Sequence, residues 1–183
     1  MKKLNLGCGK DIKPKEEEWV NLDILSRKEI ERKIDIIEKI KNIKINKFVW
    51  DFIQYDLNKA KLPFQDDSIE EIYLKNILQY KEIDLVDLMK DFHRVCKNNA
   101  IIIIPHENNK LQEPDTITNW NIHIFDKYIG RDRTNYRNYP KFEIVKIKEI
   151  TFNYSKYLPF KRVLSRFLNN IFYEIEYKLK VIK

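Results

Sequence analysis

Two periods of apolar residues alternate along this chain. Around Leu4 to Leu6, and again from Trp19 to Asp23, short apolar runs carry the density of strands. Residues 26–43 change to helical spacing. Ile30, Ile34, Ile37 and Ile40 recur on one face, with Lys, Arg and Glu between them. Ser26 followed by Glu29 predicts a capping box at the start of that helix. Phe48 to Tyr55 reads as a strand ending in the polar stop Asp56-Leu57-Asn58. Residues 62–68 read as a loop, and Ile69 to Leu74 as a fourth strand. A second helix is predicted over residues 82–97, with Leu85, Leu88, Met89, Phe92 and Val95 on one face. Asn98-Asn99 is expected to end it in the left-handed conformation. Ala100 to Ile104 is uniformly apolar, as a central strand covered on both faces should be.

The final third differs. Residues 107–140 are polar and aromatic without a clean period. Phe142 to Tyr154 reads as a long strand, residues 159–170 as a short basic helix, and Phe172 to Ile182 as a closing strand. In that last strand Ile175, Tyr177, Leu179 and Val181 alternate with Glu176, Lys178 and Lys180. Strands alternating with helices predict an α/β fold with a mostly parallel seven-stranded sheet and helices on both faces. The last strands are expected to form an antiparallel edge. A chain of 183 residues suits one domain. Within it, residues 1–106 form the binding core, 107–140 a substrate-side cover, and 141–183 a strand-helix-strand unit.

Composition narrows the class. Hydrophobic residues at 43% and charged residues at 34% describe a globular chain. The run from Ala100 to Ile104 is far too short to cross a membrane. Asn5 and Gly7 interrupt any leader-like apolar segment after Lys2 and Lys3. Cys8 and Cys96 lie in unrelated contexts and make neither a disulfide framework nor a zinc site, so a cytoplasmic setting is expected. The net charge of +7 admits a nucleic-acid partner. The excess is mostly Lys scattered among Glu, as in Lys13-Pro14-Lys15-Glu16-Glu17-Glu18, which favours composition over a footprint.

The chain has only three glycines, and two of them share one turn, Gly7-Cys8-Gly9, directly after the first strand. The second strand ends in a carboxylate, Asp23. This order suits a ribose-bearing ligand at the carboxyl ends of parallel strands. A dinucleotide site would need a third glycine where Ile12 stands. A P-loop would need Ser or Thr after Gly9-Lys10, where Asp11 stands. The turn therefore fits a cofactor with a ribose and no phosphate, and S-adenosylmethionine (SAM) is such a cofactor.

Leu4-Asn5-Leu6-Gly7-Cys8-Gly9, Trp19-Val20-Asn21-Leu22-Asp23, Asp56-Leu57-Asn58, Leu62-Pro63-Phe64, Asp66 to Tyr73 and Ile104-Pro105-His106 together resemble the class I SAM-dependent methyltransferases, a Rossmann-like fold. The likeness is to the broad type 11 group and spans roughly residues 3–106. It implies that the segment around Asn5, Gly7, Cys8 and Gly9 meets the methionine part of SAM. It implies that Asp23 accepts hydrogen bonds from the ribose hydroxyls, Asp56 accepts from the adenine amino group, and Leu57 packs on the adenine ring. Lys75-Asn76-Ile77-Leu78 would line the methyl-transfer side, with Lys75 and Asn76 among the cofactor contacts. The chain departs from the pattern at Asn76-Ile77-Leu78-Gln79-Tyr80, where relatives often carry histidines, and at Lys97-Asn98-Asn99-Ala100, where they carry a Gly-rich turn.

Other candidates weigh less. Cys8 reads as small buried packing. His93 and His123 read as structural, and three histidines without ligand spacing make no metal site. Asp66-Asp67 reads as a solvated turn. Arg131, Arg133 and Arg137 alternate with Tyr136 and Tyr139 in the expected cover. His106, at the carboxyl end of the fifth strand, is the leading candidate for a general base. The expected activity is methyl transfer from SAM to an O, N or C nucleophile of an acceptor that the sequence does not name. The alternatives are a non-catalytic SAM-binding partner or sensor module, and an RNA-directed methyltransferase.

Overall fold

The structure is a computed structural model. It describes residues 2–42, 49–59, 61–78, 84–107, 125–129, 139–151, 157, 159–160, 164 and 172–183. Seven strands form one sheet: β1 (Lys2–Leu6), β2 (Trp19–Asp23), β3 (Asp51–Gln54), β4 (Ile69–Leu74), β5 (Cys96–Glu107), β6 (Phe142–Thr151) and β7 (Phe172–Val181). Their spatial order is β3-β2-β1-β4-β5-β7-β6. The pairs from β3 to β5 are parallel, and β7 runs antiparallel to both β5 and β6. The expected mostly parallel sheet with an antiparallel edge is what forms.

The order reverses at β1. From β1 the chain moves outward to β2 and β3, then returns to place β4 on the other side of β1. Loops leaving the carboxyl ends of β1 and β4 thus diverge in opposite directions. The crevice between them is where open α/β sheets bind ligands. Here its two walls are the Gly7-Cys8-Gly9 turn and the segment from Lys75 to Ile77.

Two helices flank the sheet. Helix α1 (Arg27–Lys41) starts at Ser26 with both halves of the expected capping box in place. It buries Ile30 against Cys8 and Trp50 in a small cluster over the β3 end. Helix α2 (Leu85–Val95) has Asp84 as its N-cap, with backbone N–H groups of Val86 and Asp87 donating to the carboxylate. It buries Leu88, Met89, Phe92 and Val95 in the main core with Leu4, Leu6, Ile72, Leu74, Ile102, Ile104, Tyr177 and Leu179.

Three local expectations are corrected. Helix α2 ends at Val95, where its apolar stripe ends, and not at Asn98-Asn99. Cys96 is already extended and pairs with Ile69. The left-handed residue is indeed Asn99, but it sits inside β5, where the register with β4 slips. Third, β5 is fully buried on one face only. Ile102 and Ile104 are sealed beneath α2, whereas Ile101 and Ile103 are half-buried on the opposite face. That face, from β1 to β7, also carries Lys3, Glu71, Tyr73, Lys178 and Lys180, all half-buried. The basic helix expected over 159–170 lies almost wholly outside the described residues, as do 152–154 of the long strand.

Between β1 and β2 the chain makes no α-helix. A single turn of 3-10 helix, Lys15–Glu17, is all the helical structure there. What holds this connection is a polar ladder. Asn21, fully buried, accepts from the Asn5 amide at 2.8 Å and from the Lys13 N–H at 2.8 Å. Its own amide donates to the carbonyls of Lys13 at 2.9 Å and Asp51 at 3.1 Å. Asn5 donates in addition to the Asp11 carbonyl at 2.7 Å. Buried amides satisfied on every side fix a segment that has no helix to rest on.

Candidate functional site

Two cavities open at the crevice between β1 and β4. One, of about 460 Å³, is lined by Gly7, Gly9, Asp23, Tyr55, Asp56, Leu57 and neighbours. The other, of about 720 Å³, is lined by Asn5, Cys8, Lys10, Asp11, Tyr73, Lys75, Asn76, Glu107 and the α1 residues Ile37 and Lys41, among others. Gly7, Gly9 and Ile77 line both.

The glycines hold the turn in backbone space that suits glycine. Gly7 has φ +59° and Gly9 φ +48°. A Cβ on Gly9 would meet nothing within 4 Å, so the backbone here faces open space. A Cβ on Gly7 would lie 2.1 Å from Ile77 Cδ1, so the chain's own side chain fills that cradle.

Asp23 is pinned beside the turn. It is only 8% exposed. One carboxylate oxygen accepts the Gly9 N–H at 2.7 Å and the other the Leu25 N–H at 2.9 Å. Each oxygen keeps a further lone pair for a ligand hydroxyl. Asp56, across the smaller cavity, accepts from the Asn58 N–H at 2.9 Å, which fixes the carboxylate at the cavity rim beside Leu57.

The β4 side is fixed by Asn76, whose φ is +55°. Its N–H donates to the Pro105 carbonyl at 3.1 Å, and its side-chain oxygen accepts the Glu107 N–H at 2.7 Å. Lys75 pairs with Glu107 at 2.7 Å, and that carboxylate raises the Lys75 pKa. Tyr73 lies beneath the Lys13 ammonium, 4.2 Å from its ring centroid. Burial is the main reason its phenol is pushed up to about 12. Burial likewise pushes the Cys8 thiol up to about 12, with Asp23 adding to the effect. A protonated thiol packed against Ile30 is core, as the sequence suggests.

The crevice thus brings together Asn5, Gly7, Cys8, Gly9, Asp23, Asp56, Leu57, Lys75 and Asn76. Two of these turn their side chains to the protein itself: Asn5 to Asn21, and Asn76 to β5. Leu78 is buried in the main core. His106 stands apart. It is 4% exposed and in register with the fully buried Ile175, so it shares the α2 face of the sheet. Its neighbour Glu107 takes the opposite face and lines the larger cavity. Glu107, Tyr73, Lys10 and Asp11 are wall residues that the sequence reading did not single out. Spacing alone could not find them, because packing decides which strand face is covered: Tyr73 on β4 and Glu107 on β5 share the face of Ile101 and Ile103. Of the expected cover, Phe125, Tyr128 and Tyr139 are among the described residues: Phe125 and Tyr128 lie in the core against Tyr177 and Phe142, and Tyr139 packs on Tyr128. Trp120, His123, Arg131, Arg133, Tyr136 and Arg137 lie outside the described residues.

His93 is structural, its Nε2 held to the Ile182 carbonyl at 2.9 Å. Asp66 pairs with Arg94 at 2.7 Å and Asp67 with Lys183, so neither carboxylate is near the crevice chemistry. Among the described residues no cluster of His, Cys, Asp and Glu could hold a metal ion. Among them, too, no helix is long and apolar enough to cross a membrane.

No sequence-family model matches the chain, and no curated protein matches it in sequence. Solved structures do match. A SAM-dependent methyltransferase from Archaeoglobus fulgidus superposes with a TM-score of 0.60 at 15% identity, over 98% of this chain and 85% of that one. One from Mesorhizobium loti gives 0.53 at 14% identity, over 98% and 90%.

The fold is that of the class I SAM-dependent methyltransferases.

The same fold is shared by the [4+2]-cyclase SpnF, with a TM-score of 0.56 at 12% identity over 99% of this chain and 75% of that one. A methyltransferase fold therefore frames the site, and the chemistry has to be argued from the site itself. The site residues fit SAM on three observations. Gly9 leaves its backbone bare to the cavity. Asp23 is held where a pair of hydroxyls could reach it. And no helix starts at the turn to attract a phosphate.

Proposed function

We propose that this chain binds SAM across the two cavities and transfers its methyl group to an O, N or C nucleophile. The observation that carries this reading is the Gly9–Asp23 pair, a bare left-handed glycine bonded to a pinned carboxylate at the switch point of the sheet. In this reading Asp23 accepts the ribose hydroxyls, and charge-assisted bonds of this kind are the stronger ones. Asp56 accepts from the adenine amino group, and Leu57 covers the ring. The methionine part lies toward Asn5, Cys8, Lys75 and Asn76 in the larger cavity.

SAM supplies an electrophilic methyl group when bound. The chain's task is to align the acceptor and exclude water, a contribution that can reach many orders of magnitude. The acceptor enters the larger cavity, whose walls offer Lys75 paired to Glu107, Tyr73 and Asp11. The cytoplasm is the proposed setting, and residues 107–140 are the proposed acceptor-side cover.

Calorimetry with S-adenosylhomocysteine against NAD tests the cofactor. Binding of the former well above the latter is expected, and a folded protein that binds neither ends the reading. Transfer of a labelled methyl group from SAM to any component of a cell extract tests the chemistry.

One observation favours a non-catalytic SAM-binding module instead. His106, the candidate base, is buried on the core face of β5. Binding without labelled transfer would select the module. An RNA acceptor would show itself as an affinity that falls steeply with salt.

A further inference from the structure

The two cavities meet at a strip made of three residues, Gly7, Gly9 and Ile77. The strip is not equally open along its length. Over Gly7 it is filled, since Ile77 Cδ1 and Cγ1 would lie 2.1 Å and 2.6 Å from a Cβ there. Over Gly9 it is empty to 4 Å. The position of Ile77 is set by its neighbour. Asn76 adopts φ +55° and is held from both sides by β5, through the Pro105 carbonyl and the Glu107 N–H. A left-handed residue with two hydrogen bonds has little freedom to let the next side chain drift.

We infer that Ile77 is a positioning residue that partitions the crevice and forces any ligand spanning both cavities to cross over Gly9. This rests on the SAM reading. It adds that the cofactor's path between its nucleoside and amino-acid ends is chosen by a side chain of the β4 loop and not by the glycine turn alone. A ligand confined to the smaller cavity does not use the crossing. One that spans both cavities does.

The experiment compares adenosine, which would occupy only the Asp23–Asp56 side, with S-adenosylhomocysteine, which spans both. Affinities are measured by calorimetry on the wild type, Ile77→Phe and Ile77→Val. The larger ring at 77 reaches toward the open strip over Gly9. Ile77→Phe is expected to weaken S-adenosylhomocysteine by at least about tenfold, the scale of a steric misfit in an apolar pocket. Adenosine should stay within about twofold, well under the 1.4 kcal/mol of a tenfold change. Ile77→Val removes Cδ1, the atom that fills the strip over Gly7, and should shift S-adenosylhomocysteine affinity while adenosine stays within about twofold.

A second, ligand-free measurement uses unfolding. Gly7→Ala pushes Ile77 aside, and Ile77→Ala removes the contact, so the two losses of stability should be non-additive beyond the scatter of independent sites. Equal losses for both ligands in Ile77→Phe, or no loss for either, overturns the inference while the SAM reading stands. Additivity of Gly7→Ala and Ile77→Ala also overturns it. If wild-type protein binds neither ligand, the SAM reading falls and the proposed crossing falls with it.

Discussion

Replacing Asn21 by Ala should cost this protein more than any of its exposed polar substitutions, and the amount can be worked out. The side chain is fully buried and makes four hydrogen bonds, two accepted at 2.8 Å and two donated at 2.9 and 3.1 Å. At about 1 kcal/mol net for each bond, the loss is about 4 kcal/mol. The cost is this high because the partners remain. The Asn5 amide and both backbone groups of Lys13 are left without Asn21, and an unsatisfied buried group costs about 1–3 kcal/mol. Against a typical total of about 5–15 kcal/mol, the variant should fold with a much reduced margin. Urea unfolding at 25 °C, followed by tryptophan fluorescence, gives the stability difference. The same variant should expose Lys10, Lys13 and Lys15 to trypsin in the native state, because the ladder is what pins residues 11–13 to the sheet. A loss below about 1 kcal/mol without new cleavage would refute the reasoning, by showing that water replaces the amide at no cost.

Asp23→Ala should weaken S-adenosylhomocysteine binding by about 1.5–3 kcal/mol, the range for a hydrogen bond to a charged group, as read by calorimetry. It should also lower the melting temperature, since the Gly9 and Leu25 N–H groups lose their acceptor. Burial raises both cysteines from 9.0 to about 12, so the folded state favours the thiol. The stability this supplies is complete below pH 9.0 and fades as pH climbs toward 12. A Cys8→Ala, Cys96→Ala variant should lose less stability across that window than the wild type does. The Ser26 contacts lower the Glu29 pKa below 4.5. The capping box should therefore support α1 above that pH and weaken as pH falls beneath it. The stability difference between wild type and Ser26→Ala, followed by circular dichroism against pH, should shrink on the acid side.

The outline of the fold was legible because each strand and helix carries its own period, and because glycine is scarce enough to make one turn conspicuous. Ser26-to-Glu29 capping and the closing strand around Ile175, Tyr177 and Leu179 follow directly from local pattern. What could not be read was the third dimension of the strands. His106 and Glu107 are adjacent at the same strand end, yet only one faces the crevice, and parity cannot be assigned until the covered face is known. Asn5 lines the larger cavity as well as bonding its amide to Asn21 across the parallel pair, and that second relation depends on register. Phe125 and Tyr128 fall in the irregular segment 107–140, where no period marks them as core, yet they are buried against Tyr177 and Phe142. Ile77 acquires its place through the left-handed Asn76, which no periodicity announces.

The strand order has a consequence for how the chain is made. Strand β6 touches the sheet only through β7, which is inserted between β5 and β6. A ribosome delivers the ten residues of β6 first, and nothing in the sheet can receive them until Phe172–Val181 has emerged. During that interval β6 is an unclaimed strand, and such strands are prone to pair with the wrong neighbour. Its charged positions, Glu143, Lys146, Lys148 and Glu149, discourage that pairing during the wait. The core beneath α2 is likewise incomplete, since Ile175, Tyr177, Leu179 and Val181 arrive together as one wall of it. The nascent chain can therefore assemble the crevice between β1 and β4 early, but it locks the sheet only when β7 is in place.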